Sequence, residues 1–447
     1  MYEPGFFTEF REESGLGAQL TIALFFAFWF LLMMINVPIG FSMLIAGSAF
    51  LVGRGDVLLG IPQRMMAGPD SIPILAIPFF VFAGILMNST GITERIFRFS
   101  LALVGHIKGS LGHVNVLGSV IFAGMSGSGA ADAAGIGAIE LEAQRKAGFD
   151  DDFNVGVTLS SATIGPIIPP SIPMVLYGTL ASTSVGALFL GGVVPGLLMG
   201  AALCVMVYYY AKKRNYPVYP RATLREMALA TIRAFWALIT PAIILVGITA
   251  GVFTPTEAAI VTVVYALVLG LLVYRELTLK KVREIMLETI ETTAVVIFII
   301  AAANLFAWVL TREQIPQTIA KLLFSISRNP VVILFILNIF LLIVGCFMEG
   351  LAALTILVPM LVPALQEVGI NLVHFGVVAV LNLTIGALTP PVGVYLYIMV
   401  RVARMSFEDV VRAVLPWCIP LVVVLMLISF FPELVLWLPR LLGFIRA

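Results

Sequence analysis

Apolar residues fall in long uninterrupted runs in this chain, and the polar positions between them divide it into segments. Crossing a bilayer as a helix takes about 20 mostly apolar residues, which fits runs at positions 20–35, 37–52 and 71–87, the first two parted at Asn36-Val37-Pro38. Between 91 and 108 the pattern changes. Glu94, Arg95, Arg98, His106 and Lys108 alternate at helical spacing with Ile92, Ile96, Phe97, Leu101 and Leu103, which predicts an amphipathic helix at the membrane interface. Residues 111–147 form two apolar arms around Gly124-Met125-Ser126-Gly127-Ser128-Gly129, a stretch too flexible for helix and too polar for lipid, so the expectation is a helical hairpin that enters and leaves on one side. A broken segment at 153–182 and a span at 185–211 follow.

The order then repeats: runs at 234–251, 256–274 and 292–310, an amphipathic stretch at 315–327, a second hairpin at 330–368 interrupted near 345–350, a broken segment at 375–402 and a last span at 411–431. Residues 163–170 and 384–391 both read T-I-G-x-x-x-P-P, and the same offset of 221 superposes Gly124 on Gly345, Gly129 on Gly350 and Gly148 on Gly369. Gly costs about 1 kcal/mol and Pro about 3 relative to Ala inside a helix, so each copy marks a break in a crossing. The predicted organisation is a polar segment 1–19, a first repeat 20–211, a basic linker 212–233 and a second repeat 234–447. Five crossings precede the second copy if the hairpins count as none (those starting at 20, 37, 71, 153 and 185). An odd number predicts inverted topology, the plan of many secondary transporters, with the site at mid-membrane between the repeats.

Composition agrees: 60% of residues are hydrophobic and 11% charged, with mean hydropathy +1.07, against about 25% charged in soluble domains. The fold class predicted is an all-α polytopic membrane protein. Lys212, Lys213, Arg214, Arg221, Arg225 and Arg233 in the linker, and Arg275, Lys280, Lys281 and Arg283 in a later loop, place both on the cytoplasmic side. With net charge +1 and no basic, aromatic-rich stretch, nothing points to nucleic acid. The first apolar run is too long for a signal peptide. Cys204, Cys346 and Cys418 read as small core residues rather than disulfides or metal ligands.

Non-helical backbone survives at membrane depth only where protein buries it or water lines it. The two hairpin tips and the two T-I-G-x-x-x-P-P breaks are therefore expected around one wet cavity, each break facing a tip, giving two cation sites flanking one substrate site. Hard cations take oxygen ligands. Candidates are the hydroxyls of Ser126, Ser128, Thr163, Thr384 and Thr389 and the carbonyls of Gly127, Gly165, Met348, Gly350 and Gly386. The competing reading is that Ser and Gly here only permit tight helix packing. Asp132 and Glu349, near the two tips, are candidate ion or proton carriers, or a dipole-stabilised first-turn acid and a water-facing residue respectively. No Arg or Lys lies between Lys108 and Arg145 or between Arg328 and Arg401. An organic anion would then be held by helix N-termini, by hydroxyls and by co-bound cations, with Ser126, Ser128, Asp132, Pro169, Pro170, Ser171, Thr389, Pro390 and Pro391 as its candidate contacts.

Other motifs have plainer readings. Thr254-Pro255-Thr256-Glu257 is a helix-capping box. Asn88, Asn115, Asn304, Asn338 and Asn382 read as interhelical hydrogen bonders, His106, His113 and His374 as interfacial, and Asp150-Asp151-Asp152 as a solvated first-turn cluster. An enzyme reading is weaker. Gly124-Met125-Ser126-Gly127 resembles the serine motif of rhomboid intramembrane proteases, with His374 as a conceivable base, but its repeat counterpart Gly345-Cys346-Phe347-Met348 has no serine. The ATP-binding pattern G-x-x-x-x-G-K-[ST] is absent. The expectation is a transporter, not an enzyme.

Asn36-Val37-Pro38-Ile39-Gly40, Ile77-Pro78-Phe79-Phe80, Gly105-His106, Met125-Ser126-Gly127-Ser128, the residues from Ile164 to Ser171, Phe253-Thr254-Pro255-Thr256-Glu257-Ala258, Val373-His374-Phe375-Gly376 and Leu388-Thr389-Pro390-Pro391-Val392-Gly393 form an ordered set. Together they resemble the large membrane subunit of tripartite ATP-independent periplasmic (TRAP) transporters. The resemblance implies sodium-driven import of an organic acid, such as a dicarboxylate or a sugar acid like sialic acid, across the bacterial inner membrane. It also implies a small four-helix membrane subunit and a periplasmic substrate-binding protein as partners, and a transport domain of hairpins and broken helices moving like an elevator against a scaffold. Carried onto this chain, it implies sodium sites among Ser126, Gly127, Ser128, Thr163, Gly165, Met348, Glu349, Gly350, Thr384 and Gly386, and the gain from moving net positive charge inward predicts at least two ions. The polar start would contact the small subunit. A stand-alone or proton-coupled carboxylate carrier, with Glu349 as proton site, is the rival.

Overall fold

The computed structural model describes residues 15–35, 37–55 and 58–445, and all regular structure among them is helical. Most of the polar start, residues 1–14, and Asn36 of the first break lie outside the described residues. Helices α1 (Gly15–Met34) and α2 (Ile39–Gly53) fill the first two runs, and a short α3 (Gly60–Ala67) follows that hydropathy does not announce. A 3-10 turn at Ile72–Leu75 leads into α4 (Ala76–Asn88), and α5 (Ile92–Val104) is the amphipathic segment. The first hairpin comprises α6 (Ser110–Ser126), α7 (Gly129–Ala134) and α8 (Ile136–Lys146), its return arm split at Gly135. The first broken segment is α9 (Asp151–Ala162) with α10 (Ile172–Leu180), and α11 (Val185–Arg214) closes this half.

The second half runs through α12 (Leu224–Thr249), α13 (Pro255–Val268) with a π-helical turn at Leu269–Val273, α14 (Leu279–Arg312) and the amphipathic α15 (Ile315–Ile326). Its hairpin is α16 (Pro330–Phe347) and α17 (Gly350–Glu367), its broken segment α18 (Leu372–Gly386) and α19 (Val394–Ala403). Helix α20 (Phe407–Phe430) is the last span and α21 (Glu433–Leu441) follows it. Among the described residues, 7 helices are long and apolar enough to cross a membrane, and 8 if α3 and the Ile72–Asn88 segment, bent by 66°, count as one span.

Side-chain caps set many of the helix starts. Thr254 accepts from the Glu257 N–H at 3.3 Å while the Glu257 carboxylate accepts from the Thr254 N–H at 2.8 Å, the reciprocal box expected there. Thr223 and Glu226 form another, and this one moves a predicted boundary. Helix α12 begins at Leu224, so Arg225 and Arg233 are helical, and because α11 runs through Lys212, Lys213 and Arg214 the linker shrinks to 215–223. Thr278 likewise caps α14, drawing Lys280, Lys281 and Arg283 out of the expected loop and into helix.

Two of the three histidines differ from expectation. His113 and His374 are buried rather than interfacial, their Nε2 atoms bonded to the carbonyls of Lys108 at 3.0 Å and Ile428 at 2.8 Å, so neither ring is wasted as an unpaired polar group. The asparagines do bond between helices: Asn115 donates to Thr158 (2.7 Å), Asn382 to Asn338 (2.8 Å) and Asn338 to Ser429 (2.9 Å). Asp150 and Asp152 both pair with Arg214, and Asp151 with Arg145.

The two halves interlock. Helix α9 packs on α20, where a Cβ on Gly156 would lie 2.2 Å from Nε1 of Trp417; α10 packs on α18, where a Cβ on Gly376 would lie 2.4 Å from the ring of Tyr177. The Tyr177 hydroxyl also donates to the Leu372 carbonyl at 2.7 Å. Near the other end of α4, Lys281 Nζ donates to the Ser89 carbonyl at 2.9 Å and Arg95 pairs with Glu276 at 2.8 Å. These contacts put the C-terminal end of α4 beside the N-terminal end of α14, in the lysine- and arginine-rich layer of the molecule.

Candidate functional site

Each hairpin tip meets the broken crossing of its own half. In the first, α6 stops at Ser126 because Gly127 takes a left-handed conformation, φ +64°, and Ser128 caps α7 by accepting from the Ala131 N–H at 3.4 Å. Ser126 Oγ accepts from the Ser128 N–H at 3.4 Å. The Gly127 carbonyl accepts from the Ile172 N–H at 3.4 Å, and a Cβ on Gly127 would stand 2.6 Å from the Pro170 carbonyl oxygen. A side chain at 127 would push the tip off the break.

The break itself, residues 163–171, is buried throughout. Thr163 Oγ1 donates to the Ser160 carbonyl, and Ser171 both donates to the Pro166 carbonyl and caps α10 by accepting from the Met174 N–H. The Thr163 and Gly165 carbonyls accept no backbone hydrogen bond. Asp132, fully buried on α7, faces this point: a Cβ on Gly165 would lie 2.3 Å from Asp132 Oδ2, and neither carboxylate oxygen has a hydrogen-bond partner. A buried carboxylate with no partner costs several kcal/mol, so this pocket suits a cation or a proton. A second buried acid, Glu140 on α8, is in the same condition, with Oε1 against Gly118. Sequence reasoning missed it, because Glu140 and Glu142 look alike in I-E-L-E, whereas in the fold Glu142 is exposed and paired with Lys146.

In the second half, α16 ends at Phe347, Met348 is extended (φ −126°), and Glu349 caps α17 by accepting from the Ala352 N–H at 3.3 Å. Glu349 and Ala352 are the 221-offset counterparts of Ser128 and Ala131, so the duplication extends to the cap. The Glu349 side chain is on the surface of the chain and also borders the small cavity described below. The Cys346 carbonyl accepts from the N–H groups of Val392 (3.1 Å) and Gly393 (3.2 Å), and Cys346 Sγ lies 2.9 Å from Thr389 Oγ1. Cys346 is thus a tip contact rather than core filler. Thr384 Oγ1 donates to the Val380 carbonyl at 2.7 Å. The Gly386 carbonyl already accepts from the Thr389 N–H (2.9 Å) and from Thr389 Oγ1 (2.8 Å), which uses both lone pairs. Both Pro-Pro bonds, Pro169–Pro170 and Pro390–Pro391, are cis, but Pro390 and Pro391 are exposed where Pro169 and Pro170 are buried.

The halves approach one another here. A cavity of about 30 Å³ is lined by Pro166 of the first break, Glu349 and Gly350 of the second tip, and Thr384 and Tyr395 of the second broken segment. That volume holds a water or an ion, not an organic acid. A Cβ on Gly129 would lie 2.8 Å from the Tyr395 hydroxyl, so Tyr395, which the sequence did not single out, touches the first tip from the second half. Ser126, Gly127, Ser128, Asp132, Thr163, Gly165, Pro169, Pro170 and Ser171 therefore gather in one place, and Met348, Glu349, Gly350, Thr384, Gly386 and Thr389 in a second beside it, while Pro390 and Pro391 turn outward.

Comparison with known proteins bears on what such an arrangement serves. The family described as "Tripartite ATP-independent periplasmic transporter, DctM component" matches residues 26–434. The chain is 50% identical over 414 residues to the sialic acid TRAP transporter large permease protein SiaM of Vibrio cholerae, covering 92% of this chain and 97% of that protein. It is 41% identical over 388 residues to the C4-dicarboxylate TRAP transporter large permease protein DctM of Pseudomonas aeruginosa (87% and 91%). In fold it is similar to the YdaH transporter of Alcanivorax borkumensis, with TM-score 0.65 at 14% identity over 92% of this chain and 98% of that one, and to MtrF of Neisseria gonorrhoeae, with TM-score 0.57 at 13% identity over 92% and 94%.

Proposed function

This chain belongs to the large permease subunits of TRAP transporters, multi-pass proteins of the bacterial inner membrane, and from that premise we propose that it imports an organic acid by sodium symport. The acid is a sugar acid of the sialic acid type, handed over by a periplasmic binding protein, and the permease works with a small membrane subunit. The observation that carries the reading is the pairing of each hairpin tip with a broken crossing at the same sequence offset, the first pair enclosing Asp132 and the open carbonyls of Thr163 and Gly165.

Sodium suits these positions because they offer oxygen ligands and no positive side chain. One sodium carried with a monoanion is electroneutral. Each further sodium moves a net positive charge inward, a gain of about 2.3 kcal/mol per 100 mV of membrane potential, so the proposal is for two or more. The hairpins and broken helices would move together against α1, α2 and α12–α14 as an elevator, carrying the site between faces. Glu349, engaged as a helix cap, fits a structural carboxylate better than the proton carrier of the rival reading. Uptake in proteoliposomes containing the permease, small subunit and binding protein tests the proposal. It fails if uptake runs equally fast without a sodium gradient.

A further inference from the structure

A second cavity, of about 450 Å³, lies away from the tips, between α3 and α14 on one side and the end of α10 with Pro359 of α17 on the other. Its polar lining is Arg64, Ser71, Thr179, Asn304 and Thr311, with Trp308 as its aromatic wall. Reading the lysine- and arginine-rich layer around Lys281 as cytoplasmic places this cavity toward the opposite face. The C-terminal end of α4 is held to the start of α14 by the Lys281–Ser89 contact, so the start of α4 and the far end of α14, which carry Ser71, Trp308 and Thr311, lie at the periplasmic side.

We propose that this cavity is a periplasm-facing capture site for the transported acid, distinct from the tip and break centre, with Arg64 receiving the carboxylate. The proposal rests on the organic acid import reading. Arg64 stands 4.8 Å from the Trp308 ring centroid, and no carboxylate pairs with it among the described residues. A guanidinium on an aromatic ring keeps its outward N–H donors in the fixed fork that matches a carboxylate. Its backbone is fixed in turn: Asn304 Nδ2 donates to the Arg64 carbonyl at 2.7 Å, and Gly68 lets α3 approach so closely that a Cβ there would lie 3.0 Å from Asn304 Cβ.

The rest of the lining suits a hydroxylated body. Ser71 Oγ is buried without a partner, and Thr179 and Thr311 donate to Val175 and Ala307 at 3.0 and 2.8 Å, leaving their lone pairs as acceptors. The volume is within the range of about 300–1,000 Å³ for small-molecule sites. Charge gives the arrangement its purpose. The stretches 109–144 and 329–400, which hold both tips and the second break, contain no Arg or Lys, so an anion finds its protein-borne positive charge at the mouth and meets co-bound cations further in. A cleft lined by one sign of charge raises the local concentration of the opposite ion.

The test uses proteoliposomes with all three components, with uptake of sialic acid and of its methyl ester measured as a function of loaded binding protein. Arg64→Ala is expected to raise the half-saturating concentration for the acid about tenfold while the maximal rate stays within about twofold. It should also narrow the preference for acid over ester, and Arg64→Lys, which keeps the charge but loses the fork and the stacking on Trp308, should restore only part of both. Binding-protein affinity for the permease complex, measured separately, should not change. An unaltered half-saturating concentration in Arg64→Ala overturns the site. So does a loss of binding-protein affinity matching the uptake defect, which would make Arg64 a protein-docking contact. If the wild type takes up neither sialic acid nor succinate, the import reading falls first and this site with it.

Discussion

Gly386 and Gly345 stand back to back, and a Cβ on Gly386 would lie 2.6 Å from the Gly345 Cα. A Cβ on Gly345 would in turn lie 3.0 Å from the Gly386 Cα, so the absence of side chains at both positions lets α16 and α18 meet this closely at the second tip. Gly386→Ala must force the hairpin away from the break, and overpacking of this kind costs about 1–3 kcal/mol. The expected result is a lowered melting temperature with sodium-dependent uptake lost. A variant with normal melting and normal uptake would show that the contact does not matter.

Asp132 gives a separate prediction. Asp132→Asn keeps the shape of the buried carboxylate but removes its charge, so the protein should fold and melt at or above the wild-type temperature. Sodium activation of uptake should shift to about tenfold higher concentrations or vanish. Unchanged sodium activation would take Asp132 off the cation site.

The caps separate structure from chemistry at the second tip. Glu349→Ala removes the acceptor for the Ala352 N–H and should cost about 1 kcal/mol, whereas Glu349→Ser installs the cap the first tip already uses at Ser128. Melting should therefore fall in the alanine variant and recover in the serine variant, with uptake following. Loss of uptake in Glu349→Ser despite restored melting would return Glu349 to an ion or proton role.

The threonines of the two breaks are expected to differ. Thr163→Val leaves the open carbonyls of Thr163 and Gly165 in place and removes one hydroxyl beside them, so sodium dependence should weaken with little change in melting. Thr389→Val removes both the bond to the Gly386 carbonyl and the contact with Cys346, so it should lower stability by about 1 kcal/mol. Melting curves with and without sodium distinguish the two.

Much of this was legible in the chain. Gly-rich tips, paired prolines and the Thr254–Glu257 box are local signals, and local signals survive folding. Burial is not local. His113 and His374 look interfacial beside polar neighbours yet lie inside, and Glu140 is indistinguishable in sequence from Glu142 although only one faces water. The linker boundary moved because the Thr223–Glu226 box carries helix into a stretch that composition marks as loop. Short α3 and α21, of 8 and 9 residues, fall below what a hydropathy run can register, and α3 supplies Arg64.

The insertion of Trp417 over Gly156 and of Tyr177 over Gly376 means that neither half owns a complete surface. Each lends an aromatic knob and supplies a glycine socket, so the two are related as partners in an exchange rather than as beads on a string. Severed in the linker near position 220, the two fragments should be degraded when made singly and reassemble when made together.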